Sequence, residues 1–462
     1  MFTRRHKRLA LLMLGFALEL AGCSAARFKN EPLAHWNPDA GYRAVRQISG
    51  HRSGELLLIV AFSGGGTRAA AFSYGVLEEL RDTKVPISGR RRRLLDEIDL
   101  ISGVSGGSFP AAYYGLYGDS IFSEFEPLFL KKNIEGVLAV RLLRPKNWVR
   151  LFSPYFGRGE LAAEYYDEVL FHGATFGDLS RRNAPYIGIN ATDLSSGSRF
   201  TFNQDFFDLI CSDLSKFPVS VAVTASSAVP VLFSPITLQN YAGSCGYELP
   251  PWGKEALTSP DASVRRRVYA QQGFSFLDAK HRRYIHLLDG GISDNLGIRT
   301  AYERLVLEDS NLGKVLKETG HGNVRDIVLI VVNSQTEPQY NWDVSDISPT
   351  LPDILGAVTS VQINRYNFET IDLVNSAFEQ WTRKLATVEN PVAFHMIQVS
   401  FDDEKDERQR RFFHNLPTSF SLKEEEVDKL KAAGRQILKA DPKFQSLVRK
   451  LSADSTDGSD AQ

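Results

Sequence analysis

Two stretches near the start of the chain share one pattern, in which an apolar strand runs into a glycine-rich turn and then a helix. Residues 55–62 are almost continuously apolar, the turn 63–68 holds three consecutive glycines, and 69–80 has apolar residues at helical spacing. The same succession recurs over 98–117. A strand that is apolar at nearly every position is typical of a parallel sheet covered on both faces. The pattern therefore predicts an α/β fold whose central sheet is mainly parallel.

The rest of the chain continues this mixture of strands and helices. Further strands are predicted at 185–191, 199–202, 284–288, 327–332 and 392–399, and helices at 219–228, 297–308, 354–378 and 422–438. The pattern S-x-x-E predicts that Ser421 caps the last helix and that Glu424 bonds back to it. Because no repeat or linker divides the body, we expect one domain over 54–440 with insertions and a C-terminal helical extension. Residues 23–53 are then a tether and 441–462 a flexible tail.

The first residues have the composition of a targeting segment. Basic residues at positions 4–8 precede a short apolar run at 9–18, and Leu-Ala-Gly leads into Cys23. This order is typical of a secretory signal and resembles the lipobox of bacterial lipoproteins. We therefore expect 1–22 to be removed and Cys23 to be acylated, the alternative being a plain secretory signal with an incidental cysteine. Ser24 resembles signals that sort lipoproteins to the outer membrane of Gram-negative bacteria, so a lipid-anchored protein of the cell envelope is expected.

Charge and cysteine content exclude several classes of protein. The chain has 54 Lys+Arg and 55 Asp+Glu, and this balance argues against nucleic-acid binding. No run of 18 apolar residues is present, so no transmembrane helix is predicted. If Cys23 carries lipid, Cys211 and Cys245 remain, and the sequence leaves open whether they form a disulfide or stay reduced. No clustered His, Cys and Asp residues suggest a metal site, and no cofactor is expected.

Three groups of residues carry the pattern of a catalytic site. Ser105 lies in G-x-S-x-G between a strand and a helix, which is where a nucleophilic serine is presented at a sheet edge. The glycines 64–66 end the first strand, and their backbone N–H groups can approach an oxyanion without obstruction. Arg68 adds a positive charge beside them. Asp289 ends a further strand before two glycines and is a candidate base toward Ser105, although Asp-Gly is also a common turn.

Nucleotide binding fits the glycine-rich segment poorly. A P-loop needs a Lys followed by Ser or Thr, and none follows residues 63–68. A dinucleotide-binding loop needs a third glycine at fixed spacing, which this segment also lacks.

Taken together and in this order, the three groups resemble the motifs of the patatin-like phospholipases. The resemblance implies the patatin-like three-layer sandwich, with helices flanking a mainly parallel central sheet. Two departures are visible, because Ser63 stands where many members have Asp and Ala69 where Gly is frequent. The segments that carry the resemblance are 63–68 (SGGGTR), 103–107 (GVSGG), 190–194 (NATDL), 225–230 (ASSAVP), 289–295 (DGGISDN) and, less diagnostically, 416–420 (LPTSF).

The resemblance implies a lipid acyl hydrolase of the phospholipase A or lysophospholipase type. Asp289 would take the proton of Ser105, the serine would be acylated, and an oxyanion hole of Gly64, Gly65, Gly66 and Arg68 would hold the negative charge. The expected substrate is a phospholipid or another acyl-ester lipid, reached at a membrane through the lipid anchor.

Two alternatives remain at this stage. A Ser-His-Asp hydrolase places its histidine after the acid, and His321, His395 and His414 do follow Asp289. None of these histidines has a recognisable motif around it, so we favour the Ser–Asp dyad. A non-catalytic lipid-binding lipoprotein is the other alternative, although it would have no need of an intact serine, aspartate and glycine loop.

Aromatic and basic stretches outside the motifs have two interpretations each. The apolar stretches 121–129 and 148–156 either line an acyl groove, meet a membrane, or pack in the core. The arginine runs 90–93 and 265–267 either contact anionic headgroups or are solvated loop charge.

Overall fold

The computed structural model describes residues 28–48, 52–87, 89–181, 183–230, 232–300, 302–303, 312–337, 342–344, 346–385 and 392–453. The predicted signal peptide 1–22, Cys23 with 24–27 and 49–51 of the predicted tether, residues 301 and 304–308 of the predicted helix 297–308, and residues 454–462 of the predicted tail lie outside the described residues.

Strands occur at most of the predicted positions and at several others. Apolar runs rich in β-branched residues form most strands of the central sheet, as expected for buried strands, whereas β3 consists of four arginines. In chain order they are β1 (Leu56–Phe62), β2 (Lys84–Ile87), β3 (Arg90–Arg93), β4 (Ile98–Val104), β5 (Tyr186–Asp193), β6 (Arg199–Thr201), β7 (Ile236–Gln239), β8 (Tyr284–Asp289), β9 (Asp326–Asn333) and β10 (Ala393–Ser400).

Helices connect and cover these strands. The α-helices span Ala44–Ile48, Gly66–Asp82, Ser108–Tyr117, Ile134–Leu143, Pro145–Leu151, Arg158–Tyr166, Phe176–Ser180, Gln204–Leu209, Val219–Ser226, Pro251–Thr258, Val264–Phe274, Gly291–Asp294, Leu312–Glu318, Leu351–Leu385, Glu407–His414, Glu424–Ala440 and Pro442–Ala453. Wider π-helical turns occupy Ile121–Leu130 and Asp167–Phe171, and short 3₁₀ turns include Ser105–Gly107.

One sheet organises the described part of the chain. Its strand order is β10-β9-β1-β4-β5-β8-β7, with β6 beside β5. From β10 to β5 all neighbours are parallel, whereas β8 runs antiparallel to both β5 and β7. Parallel neighbours end at the same edge, so the residues that follow β1 and β4 meet there. The antiparallel strand β8 brings its own carboxyl end to that edge, because Asp289 pairs with Ala191 near the end of β5.

The two faces of the sheet are covered by different helices. On one face, Val60 and Ile330 belong to the main core, with Phe72 of the helix Gly66–Asp82 and Leu430 of the helix Glu424–Ala440. On the other face, Ala61 and neighbouring residues of β9 pack with Val374 of the helix Leu351–Leu385. Adjacent residues of β1 thus point to opposite layers, as the period of a strand requires. This arrangement confirms the predicted three-layer sandwich.

The predicted tether is wrong over residues 28–48, which pack against the domain. Tyr42 is buried, and its hydroxyl oxygen accepts the N–H of Ile187 in β5 at 2.7 Å. Arg43 forms ion pairs with Asp205 and Asp208. A buried tyrosine and a doubly paired arginine are structural anchors, so this segment is part of the fold.

The predicted flexible tail is also wrong over Pro442–Ala453, which is a helix whose Phe444 and Leu447 are buried.

The predicted capping box at Ser421 is wrong as well. The helix Glu424–Ala440 is preceded by Lys423 at its N-cap position. The carboxylate of Glu426 accepts the N–H of Lys423 at 2.9 Å. The helix therefore starts later than the pattern S-x-x-E suggested.

Cys211 and Cys245 are joined by a disulfide that links positions 34 residues apart. None of the described helices combines the length and the apolar character needed to cross a bilayer.

Candidate active site

Ser105 occupies the sharp turn between β4 and the helix Ser108–Tyr117. Its φ of 49° lies in the left-handed region, which few non-glycine residues adopt. Such strained backbone is characteristic of functional sites and persists only when neighbouring structure holds it. The N–H of Ser105 donates to Ser226 Oγ at 2.9 Å, and Ser108 Oγ donates to the Ser105 carbonyl oxygen at 2.6 Å. The turn is therefore held from both sides.

Asp289 faces this serine from the end of β8. Ser105 Oγ donates a hydrogen bond to Asp289 Oδ2 at 2.8 Å, although the two residues are 184 positions apart in the chain. The second carboxylate oxygen, Oδ1, accepts the N–H of Gly291 at 2.8 Å. Both side chains are buried. The pair that the sequence singled out is thus brought into direct contact by the sheet.

The environment of Asp289 changes its acidity. Burial disfavours the charged carboxylate and raises its pKa to about 6, while the hydrogen bonds from Gly291 and Ser105 partly oppose this shift. At neutral pH the group is ionised, yet it is more basic than an ordinary aspartate. Such a carboxylate can both accept a proton from a hydroxyl and return it.

The glycine loop lies directly against Ser105. A Cβ atom on Gly64 would be 3.2 Å from the Cβ of Ser105. The N–H of Gly64 is already bonded to the carbonyl oxygen of Asn295 at 3.0 Å. Within the described residues, the N–H groups of Gly65 and Gly66 donate no hydrogen bond. The structure therefore narrows the candidate oxyanion donors to these two N–H groups, at the positive end of the helix Gly66–Asp82.

Arg68 is committed to other contacts. Its guanidinium donates to the carbonyl oxygens of Ser334 and Leu416 and to the hydroxyl of Thr418, at 3.0, 2.7 and 3.1 Å. Burial lowers its pKa to about 10, so the side chain remains charged at neutral pH. Arg68 ties the glycine loop to the segment 416–418. The sequence predicted Arg68 as one of the oxyanion donors. These contacts do not favour that role, because they already occupy its guanidinium.

Several residues that support the site were not assigned this role from the sequence. Ser226 Oγ, which accepts the N–H of Ser105, donates to the carbonyl oxygen of Asn190 at 2.6 Å. Thr192 Oγ1 donates to the carbonyl oxygen of Asp289 at 2.8 Å. Both side chains and the carbonyl group of Asn190 lie in the segments 190–194 and 225–230, whose motifs were the available signal. Only the fold shows that they position the serine and the aspartate.

The three candidate histidines lie elsewhere. His321 Nε2 is 3.5 Å from Asp99 Oδ1, near the start of β4. Six residues of strand separate Asp99 from Ser105, a distance of about 20 Å. His395 bonds to Asp326 at 2.6 Å, also near the amino ends of parallel strands, and His414 bonds to Asp402 at 3.0 Å. None of the three is recorded in contact with Ser105 or Asp289, which lie at the opposite edge of the sheet from the first two.

The two apolar stretches differ in exposure. In 121–129, Ile121, Phe125 and Phe129 are buried in the core, and Phe129 stacks on Phe109 with ring centroids 4.3 Å apart. In 148–156, several large apolar side chains are exposed.

No group of three His, Cys, Asp or Glu residues in the described part of the chain has the geometry to hold a metal ion.

A cavity of about 400 Å³ lies on the face of the sheet that the helix Leu351–Leu385 covers. It is lined by Leu57, Leu100 and Trp381 among others. Leu57 and Leu100 belong to the amino halves of their strands, so this cavity is separate from the site at Ser105.

The chain is similar to one protein family and to a protein of known structure. A search of curated proteins gives no match. A human cytosolic phospholipase A2 (GIVD) of known structure is similar over 90% of this chain and 65% of its own, with 12% identity and a TM-score of 0.44, so the chain spans less than two thirds of that protein. The model of the family described as "Patatin-like phospholipase" matches residues 60–302. Because this match covers more than half of the chain, the protein belongs to the patatin-like phospholipase family of lipid acyl hydrolases.

Proposed function

We propose that the protein hydrolyses fatty-acyl esters of lipids, as a phospholipase A or lysophospholipase, with Ser105 as nucleophile and Asp289 as general base. The observation that carries this proposal is the 2.8 Å hydrogen bond from Ser105 Oγ to Asp289 Oδ2 beside the unbonded N–H groups of Gly65 and Gly66. Nucleophile, base and oxyanion donors thus lie at one edge of the sheet, which is the combination that acyl transfer requires.

In the first half-reaction, Asp289 accepts the proton of Ser105 as Oγ attacks the ester carbonyl carbon. The carbonyl oxygen becomes an oxyanion, which the N–H groups of Gly65 and Gly66 stabilise. Collapse of this intermediate breaks the bond to the leaving alcohol, and the protonated Asp289 returns its proton to that oxygen. The acyl group then remains on Ser105.

In the second half-reaction, water replaces the alcohol. Asp289 takes a proton from the water as its oxygen attacks the acyl carbon, and the same N–H groups hold the new oxyanion. Collapse releases the fatty acid, and the proton on Asp289 returns to Ser105 Oγ. The carboxylate thus serves as base and acid in turn, for which a pKa of about 6 is well suited.

The Ser-His-Asp alternative has less support. Each of the three histidines is engaged with another carboxylate, and Ser105 already contacts Asp289 without an intervening imidazole. The lipid anchor at Cys23 and the location in the cell envelope stay predictions that rest on residues 1–24 of the sequence.

The test is fatty-acid release from mixed phospholipid vesicles and from a soluble short-chain ester. It uses the full chain with Cys23→Ser, which removes the thiol that would be acylated. We expect Ser105→Ala and Asp289→Asn each to lower release by at least about a hundredfold, because each removes a partner in the proton transfer. Asp289→Asn should stay folded at pH 8, since an amide is not charged in the buried site.

Matched substitutions on the surface serve as controls. Ser123→Ala and Asp261→Asn change the same side chains at exposed positions and should leave release unchanged. Release that survives Asp289→Asn but is lost on substitution of His321, His395 or His414 would contradict the proposal. Folded protein that releases no fatty acid from vesicles or soluble ester would contradict it as well.

A further inference from the structure

Two consecutive helices, Ile134–Leu143 and Pro145–Leu151, are separated by Arg144 alone and form a short two-helix hairpin. We call this segment, with the following Phe152, the docking hairpin. Its turn is closed by Asn147, which is buried and donates to the carbonyl oxygen of Arg141 at 2.7 Å. The geometry of the turn is thus fixed from within the hairpin.

One side of the docking hairpin is apolar and exposed. Between 47% and 89% of the surface of five large side chains is accessible, namely Val140, Leu143, Trp148, Val149 and Phe152. A concentration of exposed apolar side chains in so short a segment marks an interaction surface more often than chance exposure. Nothing within the described residues covers it.

The opposite side of the docking hairpin is anchored to the domain. Leu142 and Leu151 pack against the buried Phe156 and Leu161. Arg141 bonds to Glu168 at 2.6 Å, and the guanidinium of Arg150 lies over the ring of Phe156 at 3.8 Å. These contacts hold the hairpin on the domain through side chains other than the five exposed apolar ones.

Cationic side chains accompany the exposed apolar ones. Arg144 and Lys146 are exposed in the turn, between Leu143 and Trp148, and neither forms an ion pair with a described residue. The nearby Glu164 and Glu168 are paired with Arg150 and Arg141. The bond from Arg141 lowers the pKa of Glu168, and the charges of Arg144 and Lys146 add to this effect, so one paired carboxylate lies near the two cations. The outer side therefore combines apolar side chains with positive charge. That combination is complementary to an anionic lipid surface, where Trp and Phe reside at headgroup level and Lys and Arg contact phosphate.

The base of the docking hairpin is connected to the candidate active site. Glu135, in its first turn, accepts the hydroxyl of Ser419 at 2.8 Å and the N–H of Phe420 at 2.7 Å. The carbonyl oxygen of Ser419 in turn accepts the N–H of Thr67 at 2.9 Å, beside the glycine loop. A surface bound by the hairpin would thus lie in a fixed relation to the loop that is expected to hold the oxyanion.

We propose that the docking hairpin binds an anionic phospholipid surface, with Trp148 and Phe152 inserted among the headgroups and Arg144 and Lys146 on their phosphates. The role in presenting substrate rests on the proposed function, whereas the binding itself does not. A second copy of this chain is the competing occupant of the same surface.

The test measures partition onto vesicles of phosphatidylglycerol and phosphatidylethanolamine by sedimentation, in the full chain carrying Cys23→Ser and Ser105→Ala. We expect Phe152→Ser, and separately Arg144→Glu with Lys146→Glu, each to lower the partition coefficient at least about tenfold. The fluorescence of Trp148 should shift to the blue on binding, and this is read as the difference from a Trp148→Phe variant. Vesicles of phosphatidylcholine alone should bind more weakly, because they lack the negative charge.

Two controls make the same chemical changes elsewhere. Phe368→Ser alters another exposed phenylalanine, and Arg90→Glu with Arg91→Glu alters two exposed arginines. Both should keep the partition coefficient within about twofold of the parent. Thermal melts verify that every variant is folded.

Activity separates this proposal from the proposed function. With Ser105 restored, the docking variants should lose release from vesicles and keep release from a soluble ester. A parent that binds vesicles but hydrolyses neither substrate would contradict the proposed function alone. Unchanged partition in both docking variants would overturn the docking proposal, as would equal losses in the controls. Self-association of the parent that these substitutions abolish, without vesicle binding, would assign the surface to a second copy instead.

Discussion

Two buried carboxylates near the carboxyl end of β8 differ in what they contact. Asp289 accepts from the hydroxyl of Ser105, whereas Asp294 accepts the N–H groups of Gly297 and Arg299 at 3.2 and 2.9 Å. Burial raises the pKa of both to about 6. A raised pKa therefore does not by itself distinguish the proposed base, whereas the contact with Ser105 favours Asp289 for that role.

The pH dependence of ester hydrolysis tests this assignment. Asp289 must be ionised to accept the proton, so kcat/KM should rise with pH and reach half of its plateau near pH 6. The measurement uses a soluble neutral ester, whose own charge does not change. Asp294→Asn should leave the midpoint in place. A midpoint that disappears in that variant would assign the titration to Asp294.

At the scale of elements, the two glycine-rich turns are packed against each other without room for side chains. A Cβ atom on Gly106 would lie 2.0 Å from the carbonyl oxygen of Gly66. Gly66 itself has a φ of 59°, which glycine adopts without strain. The turn that holds Ser105 and the loop that holds the proposed oxyanion donors therefore position one another.

Substitution of Gly106 should separate these turns. We expect Gly106→Ala to lower kcat/KM by on the order of a hundredfold, because displacement of reacting groups by about 1 Å has effects of this size. It should also destabilise the fold by about 1–3 kcal/mol through overpacking. Gly273→Ala is the control, since a Cβ atom there meets nothing within 4 Å and alanine favours the helix Val264–Phe274. Equal activity in both variants would show that the close approach of the turns is not required.

At the scale of the whole molecule, segments distant in sequence converge on the disulfide. The N–H of Leu33 donates to the carbonyl oxygen of Cys211 at 2.7 Å, and that of Trp36 to the carbonyl oxygen of Cys245 at 2.8 Å. Asn30, just before them, accepts the N–H of Gln239 in β7 at 2.8 Å. The N-terminal segment is therefore hydrogen-bonded to both cysteines of the disulfide and to the edge strand β7 of the central sheet.

Loss of the disulfide should destabilise the protein markedly. For a closed loop of this length, chain entropy predicts that Cys211→Ala with Cys245→Ala lowers the free energy of unfolding by roughly 3–4 kcal/mol. Urea denaturation measures this change. Reductant should destabilise the parent by a similar amount and leave the double variant unaffected. Equal stability of parent and variant, with or without reductant, would contradict the expected contribution.

The sequence by itself determined the parts of this protein that depend on local order. Each apolar run next to a glycine turn became a strand of the sheet, because burial on both faces requires apolar side chains wherever the strand lies. The order of the motifs around Ser105 and Asp289 was sufficient to indicate the family. These properties follow from residue type and spacing, which the chain displays before it folds.

Only the tertiary structure decided which groups are in contact. Local pattern could not reveal that Arg68 holds the segment 416–418, that the histidines lie away from Ser105, or that Arg92 in the run 90–93 lies in β3 and pairs with the buried Glu97. It also gave no sign that 28–48 and Pro442–Ala453 pack on the domain. The reason is physical, since most of these contacts join residues that lie tens to hundreds of positions apart along the chain.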